Sequence, residues 1–467
     1  MITNTVLGTR AWLALAVVLA AEVMDLLDAT IINVAGPSIR ADLHGSYAFM
    51  QWLAAGYTLA FAVGLVTGGR LGDIYGRRRL FVIGAAGFTA CSLLCAIVPV
   101  GAPTGTLILF RVLQGAFGAV LIPQGFGILK EVFPPADLGK AFGAFGPVMG
   151  LAAVGGPILA GALIGADVLG TGWRMIFLVN VPLGVLAVVG AVRVLPPSRP
   201  APSIRLDLPG TVLLSAALLL LVYPLVQGRE LGWPAWTLTC LALCLPMLLI
   251  FIVYEGKHRR SALVEPSLFG KPVFIAGLGA GLLLSAGLVG LTFVVGVHLQ
   301  VGLGFTPLHA GLSLAPWALG IAIGSVLAGT YGARRGRRVL RLGLLVMVAG
   351  LAAQIVTLHH TGTGLTGWDL APALLVTGVG TGLAITPFFD LVLANVDEHE
   401  LGSASSTVNA AQQLGGAIGV AGLATAYFAL LARHGATGAA ERVMLLTLGL
   451  LALIGLVTPA LPARARD

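Results

Sequence analysis

Long apolar runs broken by short polar segments recur along the whole chain. A helix that crosses a bilayer needs roughly 20 mainly apolar residues, and fourteen segments meet that requirement: 11–36, 49–69, 80–100, 105–127, 139–165, 174–194, 209–227, 235–254, 273–299, 309–331, 340–358, 370–395, 404–432 and 442–461. The pattern predicts an all-α membrane protein with fourteen transmembrane helices. An even count puts both termini on one side. With the N-terminus inside, the inner segments hold 21 of the Lys and Arg residues: Arg10, Arg70, Arg77, Arg78, Arg79, Lys130, Lys140, Arg193, Arg199, Arg205, Lys257, Arg259, Arg260, Lys271, Arg334, Arg335, Arg337, Arg338, Arg341, Arg464 and Arg466. The outer segments hold five: Arg40, Arg174, Arg229, Arg433 and Arg442. Basic residues accumulate in cytoplasmic loops, so the sequence predicts a multi-pass protein of the inner (cytoplasmic) membrane with both termini cytoplasmic. Arg111 alone falls inside a span.

Composition agrees with this pattern. Of the 467 residues, 10% are charged and 57% hydrophobic, against about 25% charged in soluble domains. The net charge of +8 does not imply a nucleic-acid partner, because the arginines sit in short clusters between apolar runs. The 65 glycines suit helices that approach closely in lipid. The cysteines form two i,i+4 pairs, Cys91 with Cys95 and Cys240 with Cys244, inside apolar runs. One helix does not easily bridge such a pair, and a metal site needs further ligands, so these read as packing residues. The first run could imitate a signal peptide with Arg10 as its charged end, but Glu22, Asp25 and Asp28 interrupt it and further spans follow at once. It reads as a retained first helix. No soluble domain, phosphate loop or metal cluster is visible, and no cofactor is expected.

The segment 68–81 places one aspartate and four arginines between two nearly uncharged runs, with glycines at 68, 69, 72 and 76. A weaker echo, GARRGRR, lies at 332–338. Each follows the second helix of a six-helix set once the seventh and eighth spans are set aside. The proline-rich stretch 196–209 is a natural linker. The expected organisation is a six-helix bundle at 1–195, a linker with two additional helices at 196–260, and a second six-helix bundle at 261–467.

Four motifs carry a resemblance to the fourteen-helix drug:proton antiporters of the major facilitator superfamily, over essentially the whole chain. Gly69, Arg70, Leu71, Gly72, Asp73, Gly76, Arg77 and Arg78 match the superfamily's loop between helices two and three. Arg111, Gln114, Gly115 and Gly118 match the helix-four motif associated with proton coupling. The run from Leu27 through Asp28, Asn33 and Gly36 to Pro37 is similar to the helix-one signature of the fourteen-helix group. Gly143, Gly156, Pro157 and Gly161 fall where the helix-five antiporter motif has its glycines and proline; Ala152 and Ala160 depart from that motif, as Gly36 does in helix one. The resemblance implies a two-half transporter with its site near the bilayer midplane.

Within that frame, Asp28 lies deepest of three acids on helix one. An ionised acid at mid-bilayer costs about 2.5–3.5 kcal/mol on insertion scales, so it faces a cavity, finds a partner or takes a proton. Asp28 is the first candidate for the proton-responsive carboxylate, against a permanent structural pairing. Arg111 either senses that carboxylate's protonation or forms a static ion pair, with Gln114 one turn away on the same face. Asp390, after Pro387, is a second proton carrier, a substrate contact, or an acid reaching toward the loop at 397–400. Asp25 and Glu22, one and two turns nearer the cytoplasm, either line a cation-attracting cavity or are solvated near the helix entry. Asn33, Gln114, Asn409 and Gln413 are further cavity candidates, while Gly69, Asp73, Gly76, Arg77 and Arg78 form a cytoplasmic gate. His258, His298, His309, His359, His360 and His434 are expected at the surface.

The expected function is proton-coupled export of an amphipathic or lipophilic compound, by a chain acting as a monomer with protons and the bilayer as its other partners. The first rival is a dedicated exporter of one self-made metabolite. The second is a membrane enzyme or receptor without transport, for which no catalytic constellation is visible.

Overall fold

The computed structural model describes residues 9–134, 137–197, 206–257, 265–397 and 400–463, with backbone alone at 138–147, 330–335 and a few isolated positions. The α-helices are α1 (Thr9–Asp42), α2 (Tyr47–Tyr75), α3 (Arg77–Ala96), α4 (Thr104–Val132), α5 (Leu138–Ala166), α6 (Met175–Leu178), α7 (Asn180–Val194), α8 (Leu208–Gln227), α9 (Ala235–Lys257), α10 (Pro272–Val297), α11 (Pro307–Thr361), α12 (Ala371–Leu393) and α13 (Leu401–Val457). Polar side chains start several of them. Ser46 accepts from Phe49 N at 3.1 Å, and Asp207 accepts from Gly210 N at 2.9 Å. Such caps satisfy amide donors that the first turn leaves open.

Eleven stretches are long and apolar enough to cross a membrane. Three more spans complete fourteen. α1 is 34 residues long, but its carboxylates keep it outside a hydropathy criterion; α5 has 29 residues. α13 holds two spans: its 57 residues are interrupted at Gly435, whose φ of 71° and ψ of 176° break the helix. Unbroken, it would run about 86 Å, far beyond a hydrocarbon core of about 30 Å. α11 likewise contains two spans, Pro307–Gly329 and Gly336–Thr361. Both lie on α12, the first in parallel and the second antiparallel, so the chain reverses between Gly329 and Gly336. The arginines expected there at 334 and 335 have side chains outside the described residues.

Helices α1–α7 pack together, and α10–α13 form a second set. The two sets share a local geometry. α4 lies so close to α2 that a Cβ on Gly115 would sit 2.3 Å from the Tyr57 carbonyl oxygen; on α12, a Cβ on Gly378 would sit 2.1 Å from the Trp317 carbonyl oxygen. Backbones this close are a packing mode of helices in lipid, where small residues replace a hydrophobic driving force. α8 rests against both α2 and α13, and α9 against α8. Thr67 and Thr211 join their hydroxyls at 3.1 Å between α2 and α8.

The sets meet mainly at the end away from the arginine-rich α2–α3 turn, here the distal end. Gln300 donates to the Val34 carbonyl at 2.9 Å, Tyr47 lies 4.1 Å from Phe428, and Gly311 abuts the Pro157 carbonyl. Toward the opposite, basic end, Glu22, Asp25, Gln412 and Gln413 are half-buried and Asn409 is exposed.

Candidate functional site

α1, α3, α4 and α7 bring five polar side chains into one dry cluster. Asp28 and Arg111 are buried at 3% and 0% exposure, and Arg111 Nη1 donates to Asp28 Oδ2. Gln114 Nε2 and Asn180 Nδ2 each donate to Asp28 Oδ1 at 2.9 Å, and both also reach Ser92 Oγ, at 2.8 and 3.1 Å. Arg111 Nη1 donates to Gln114 Oε1 at 2.8 Å, and its Nε donates to the Leu53 carbonyl at 3.1 Å. The Tyr57 ring covers the guanidinium at 4.5 Å. A carboxylate with three donors is well matched as an anion, and the arginine that neutralises it has its own charge spread over a π face. Removing either charge leaves the other buried without its partner, a strongly destabilising change.

The predicted residues distribute themselves around this cluster. Asp25 accepts from the Tyr57 hydroxyl and lies against Gly118 of α4. Glu22 lies one turn further toward the basic end, beside Gly125, and its Oε1 has no partner among the described residues. Tyr57 therefore links the half-buried acid Asp25 to the sealed Asp28–Arg111 pair. Asn33 lies on the distal side of Asp28, and its carbonyl meets Gly296 of α10. Gln413 and Asn409 sit on α13, on the opposite set of helices. Asp390 is exposed, three residues before the end of α12, and the structure does not bring it to Asp28.

The helix-five residues bridge elements. Gly156 packs on the Thr30 hydroxyl of α1, and Gly161 on the backbone of Leu308 in α11, while the Pro157 carbonyl meets Gly311. Gly143 lies on α5 at a position whose surroundings are outside the described residues.

At the basic end, Gly76 turns the chain between α2 and α3 with a φ of 97°, a conformation open to glycine. Arg77 donates to Asp73 at 3.0 and 3.2 Å and lies 3.7 Å from Glu131 on α4. It rests directly over Gly127, and Arg78 donates to the Val192 carbonyl of α7. Gly69 lies beside Pro123. These contacts all stay within α1–α7.

Sequence reasoning missed Ser92, Asn180 and Tyr57. Asn180 carried a signal, as a lone amide within the apolar run 175–189; Ser92 and Tyr57 carried none that separates them from packing residues. His298 is a correction. It was expected at the surface near a loop, but it is buried at 1% exposure because the chain goes on from α10 into a π-helical turn, His298–Gly302, packed against α13. His258 lies outside the described residues.

A dry ion pair thus lies inside one of the two helix sets of a membrane-spanning protein. The Major Facilitator Superfamily model matches residues 18–420. A probable actinorhodin transporter of Streptomyces coelicolor is 47% identical over 426 residues, covering 90% of this chain and 73% of its own length. The puromycin resistance protein of Streptomyces alboniger is 38% identical, covering 92% and 85%. The cephamycin export protein of Amycolatopsis lactamdurans is 35% identical, covering 98% and 94%. The crystal structure of an auto-inhibited POT family peptide transporter shares the fold, with a TM-score of 0.70 at 14% identity over 96% of both chains. The chain belongs to the Major Facilitator Superfamily. It is a multi-pass membrane transporter.

Proposed function

We propose that this protein exports an amphipathic or lipophilic compound across the inner membrane in exchange for protons, acting as a monomer with both termini in the cytoplasm. The observation that carries this reading is the buried Asp28–Arg111 pair, held by Gln114 and Asn180. The relatives, named as antibiotic transport, resistance and export proteins, support the outward direction. The 21 to 5 distribution of basic residues supports the orientation.

On this orientation the basic end is cytoplasmic, and the state described is closed outside and open inside. The bundles at 1–195 and 261–467 are the two moving bodies, with 196–260 an addition beside them. Substrate enters between Glu22 and Asp25 on one side and Asn409 and Gln413 on the other, while Asn33 lies toward the outer closure. Asp28 releases its proton to the cytoplasm and is captured by Arg111. Reprotonation from outside neutralises the carboxylate, frees Arg111 and lets the helices shift. Arg77, Asp73 and Glu131 hold the cytoplasmic gate elements in place, and Asp390 lies at the cytoplasmic mouth as an accessory carboxylate. One charge moving through 100 mV supplies about 2.3 kcal/mol, enough for a gradient of about fifty-fold per proton.

The test is efflux from proteoliposomes with and without an imposed pH gradient. Gradient-dependent flux supports antiport; its absence would favour a non-transporting or differently driven protein. A second reading, a dedicated exporter of one self-made metabolite, is favoured by the relatives named for single compounds. Resistance profiling against many unrelated toxic compounds separates the two, since a dedicated exporter protects against one.

A further inference from the structure

The distal closure contains a titratable group that the coupling scheme does not use. His298 opens the five-residue π-helical turn at the end of α10. Wide turns of this kind cost regular hydrogen bonding and often accompany functional sites. Around it, the regular backbone gives way twice. α10 widens at His298–Gly302, and α13 breaks at Gly435, whose neighbour Ala436 lies against Gly302. Two helices of the second set are therefore irregular at the same depth, with the imidazole between them.

The ring itself is incompletely paired. His298 Nδ1 lies 3.3 Å from the Tyr427 hydroxyl, and Nε2 has no partner among the described residues. Tyr427 is fully buried. Gly302 leaves room for the pair, since a Cβ there would stand 2.8 Å from Nδ1 and 3.2 Å from the Tyr427 oxygen. Two residues along the same turn, Gln300 makes the contact with Val34 of α1. On α13, Phe428 follows Tyr427 and stacks on Tyr47 of α2. The imidazole thus sits behind two of the contacts that hold the two helix sets together at the distal end.

The charges near it are few. From α13 it faces the Tyr427 hydroxyl. Beyond the Tyr47–Phe428 contact, Arg40 and Arg229 lie over the Tyr47 ring at 3.9 and 6.0 Å, and the Glu230 carboxylate accepts from Ala48 N at 2.8 Å. Among the described residues no carboxylate pairs with the imidazole. A second proton on this ring would create a buried cation with a donor facing no acceptor among the described residues. Such a charge is tolerated only when water reaches it.

We propose that His298 is a proton-binding site of the outer gate: a proton taken from the external water onto the unpartnered ring nitrogen favours the opened distal end, and its return to that water favours closure. This rests on the alternating-access reading above, but it is a separate titration from that of Asp28. The gated elements are the turn His298–Gly302 with its Gln300–Val34 contact, and the Tyr427–Phe428 face against Tyr47.

The test is hydrogen–deuterium exchange of the full-length protein in lipid nanodiscs between pH 8 and pH 5, corrected for the intrinsic pH dependence of amide exchange. The wild type is expected to show a rise of several-fold in exchange at 298–304 and 427–437 as pH falls. His298→Gln, a neutral residue of similar reach, abolishes that rise. Tyr427→Phe, which removes the hydroxyl partner of the closed-state imidazole, moves the rise to higher pH. A wild type with no rise overturns the proposal, as does an H298Q profile superimposable on wild type or a Y427F midpoint that stays in place. The antiport reading fails by a different result: pH-gradient-independent export while this exchange response is intact.

Discussion

The same helix geometry encloses two different interiors. In the first set, α4 lies on α2 at Gly115 and Tyr57, and the positions beside that contact carry Arg111 and Gln114, which meet Asp28, Ser92 and Asn180. In the second set, α12 lies on the first span of α11 at Gly378 and Trp317, and the corresponding positions, four and one residues before the glycine, carry Leu374 and Thr377. There, among the described residues, the contact between polar side chains is Gln354 Nε2 donating to Thr377 Oγ1 at 2.7 Å. Leu291, Leu314, Leu351 and Leu374 surround it and leave a cavity of about 20 Å³, space for a water molecule or so. Shared backbone packing with unshared charge separates what the fold requires from what the coupling chemistry requires. The bundle needs glycine at the helix crossing in both sets. It needs the ion pair in one.

The largest effect should come from breaking the charged interior. Arg111→Leu strands Asp28 as a buried carboxylate, and the loss of a partner from a buried pair typically costs about 3–5 kcal/mol. A corresponding fall in thermal unfolding temperature in detergent, together with loss of export, is expected; a stable, active variant would show that the pair is dispensable. Next come the shared crossings. Gly115→Ala and Gly378→Ala each push a methyl into a backbone carbonyl, at about 1–3 kcal/mol. The two losses should be similar in unfolding experiments, whereas a loss confined to one set would end the claim of equivalent packing.

Smaller again is the uncharged interior. Gln354→Leu removes one hydrogen bond, but Thr377 keeps its own donation to the Ala373 carbonyl at 2.9 Å. Stability should change by no more than about 1 kcal/mol, with proton-driven export retained. Loss of coupling in that variant would place chemistry in the second set as well. The smallest effect lies just before α13, where the buried Glu400 meets Lys271. Lys271 Nζ contacts Glu400 at 2.5 Å and Asp397 at 2.9 Å, and the Ser267 hydroxyl also donates to Glu400. The Lys271 ammonium, then Ser267, hold the Glu400 carboxyl down at about 2, below its ordinary 4.5. A depressed carboxyl contributes stability above its unfolded value, and the contribution fades as pH falls from about 4.5 toward 2. The unfolding-temperature difference between wild type and Glu400→Gln should therefore be constant near neutrality and close in that acid window.

Much of this was legible from residue order. Fourteen runs, the basic-loop bias and the arginine turn at 68–81 follow from hydropathy and charge, which act locally and leave a periodic trace. Asp28 and Arg111 stood out because a charge inside an apolar run demands a partner, a cavity or a proton, and Gln114 stood out as Arg111's neighbour one turn away. Asn180, Ser92 and Tyr57 did not, because a single amide or hydroxyl in a membrane helix satisfies itself in several ways and only the three-dimensional packing of α1, α3 and α7 selects one. His298 illustrates the opposite error. Its position near the end of a run implied a loop, but the helix widens instead of ending and carries the ring into the interior. The reversal of α11 between Gly329 and Gly336 and the break of α13 at Gly435 show that span boundaries are decided by backbone conformation as well as by hydropathy.

The central claim is that Asp28 carries the proton whose gain and loss drive the cycle. The most direct measurement is pH-gradient-driven efflux from proteoliposomes containing wild-type protein or Asp28→Asn, at matched protein incorporation. The substitution keeps the shape and the hydrogen-bonding capacity toward Arg111 and removes the ionisation. The gradient is expected to drive efflux in wild type and to have no effect in D28N. Gradient-driven efflux at the wild-type rate in D28N would contradict the claim.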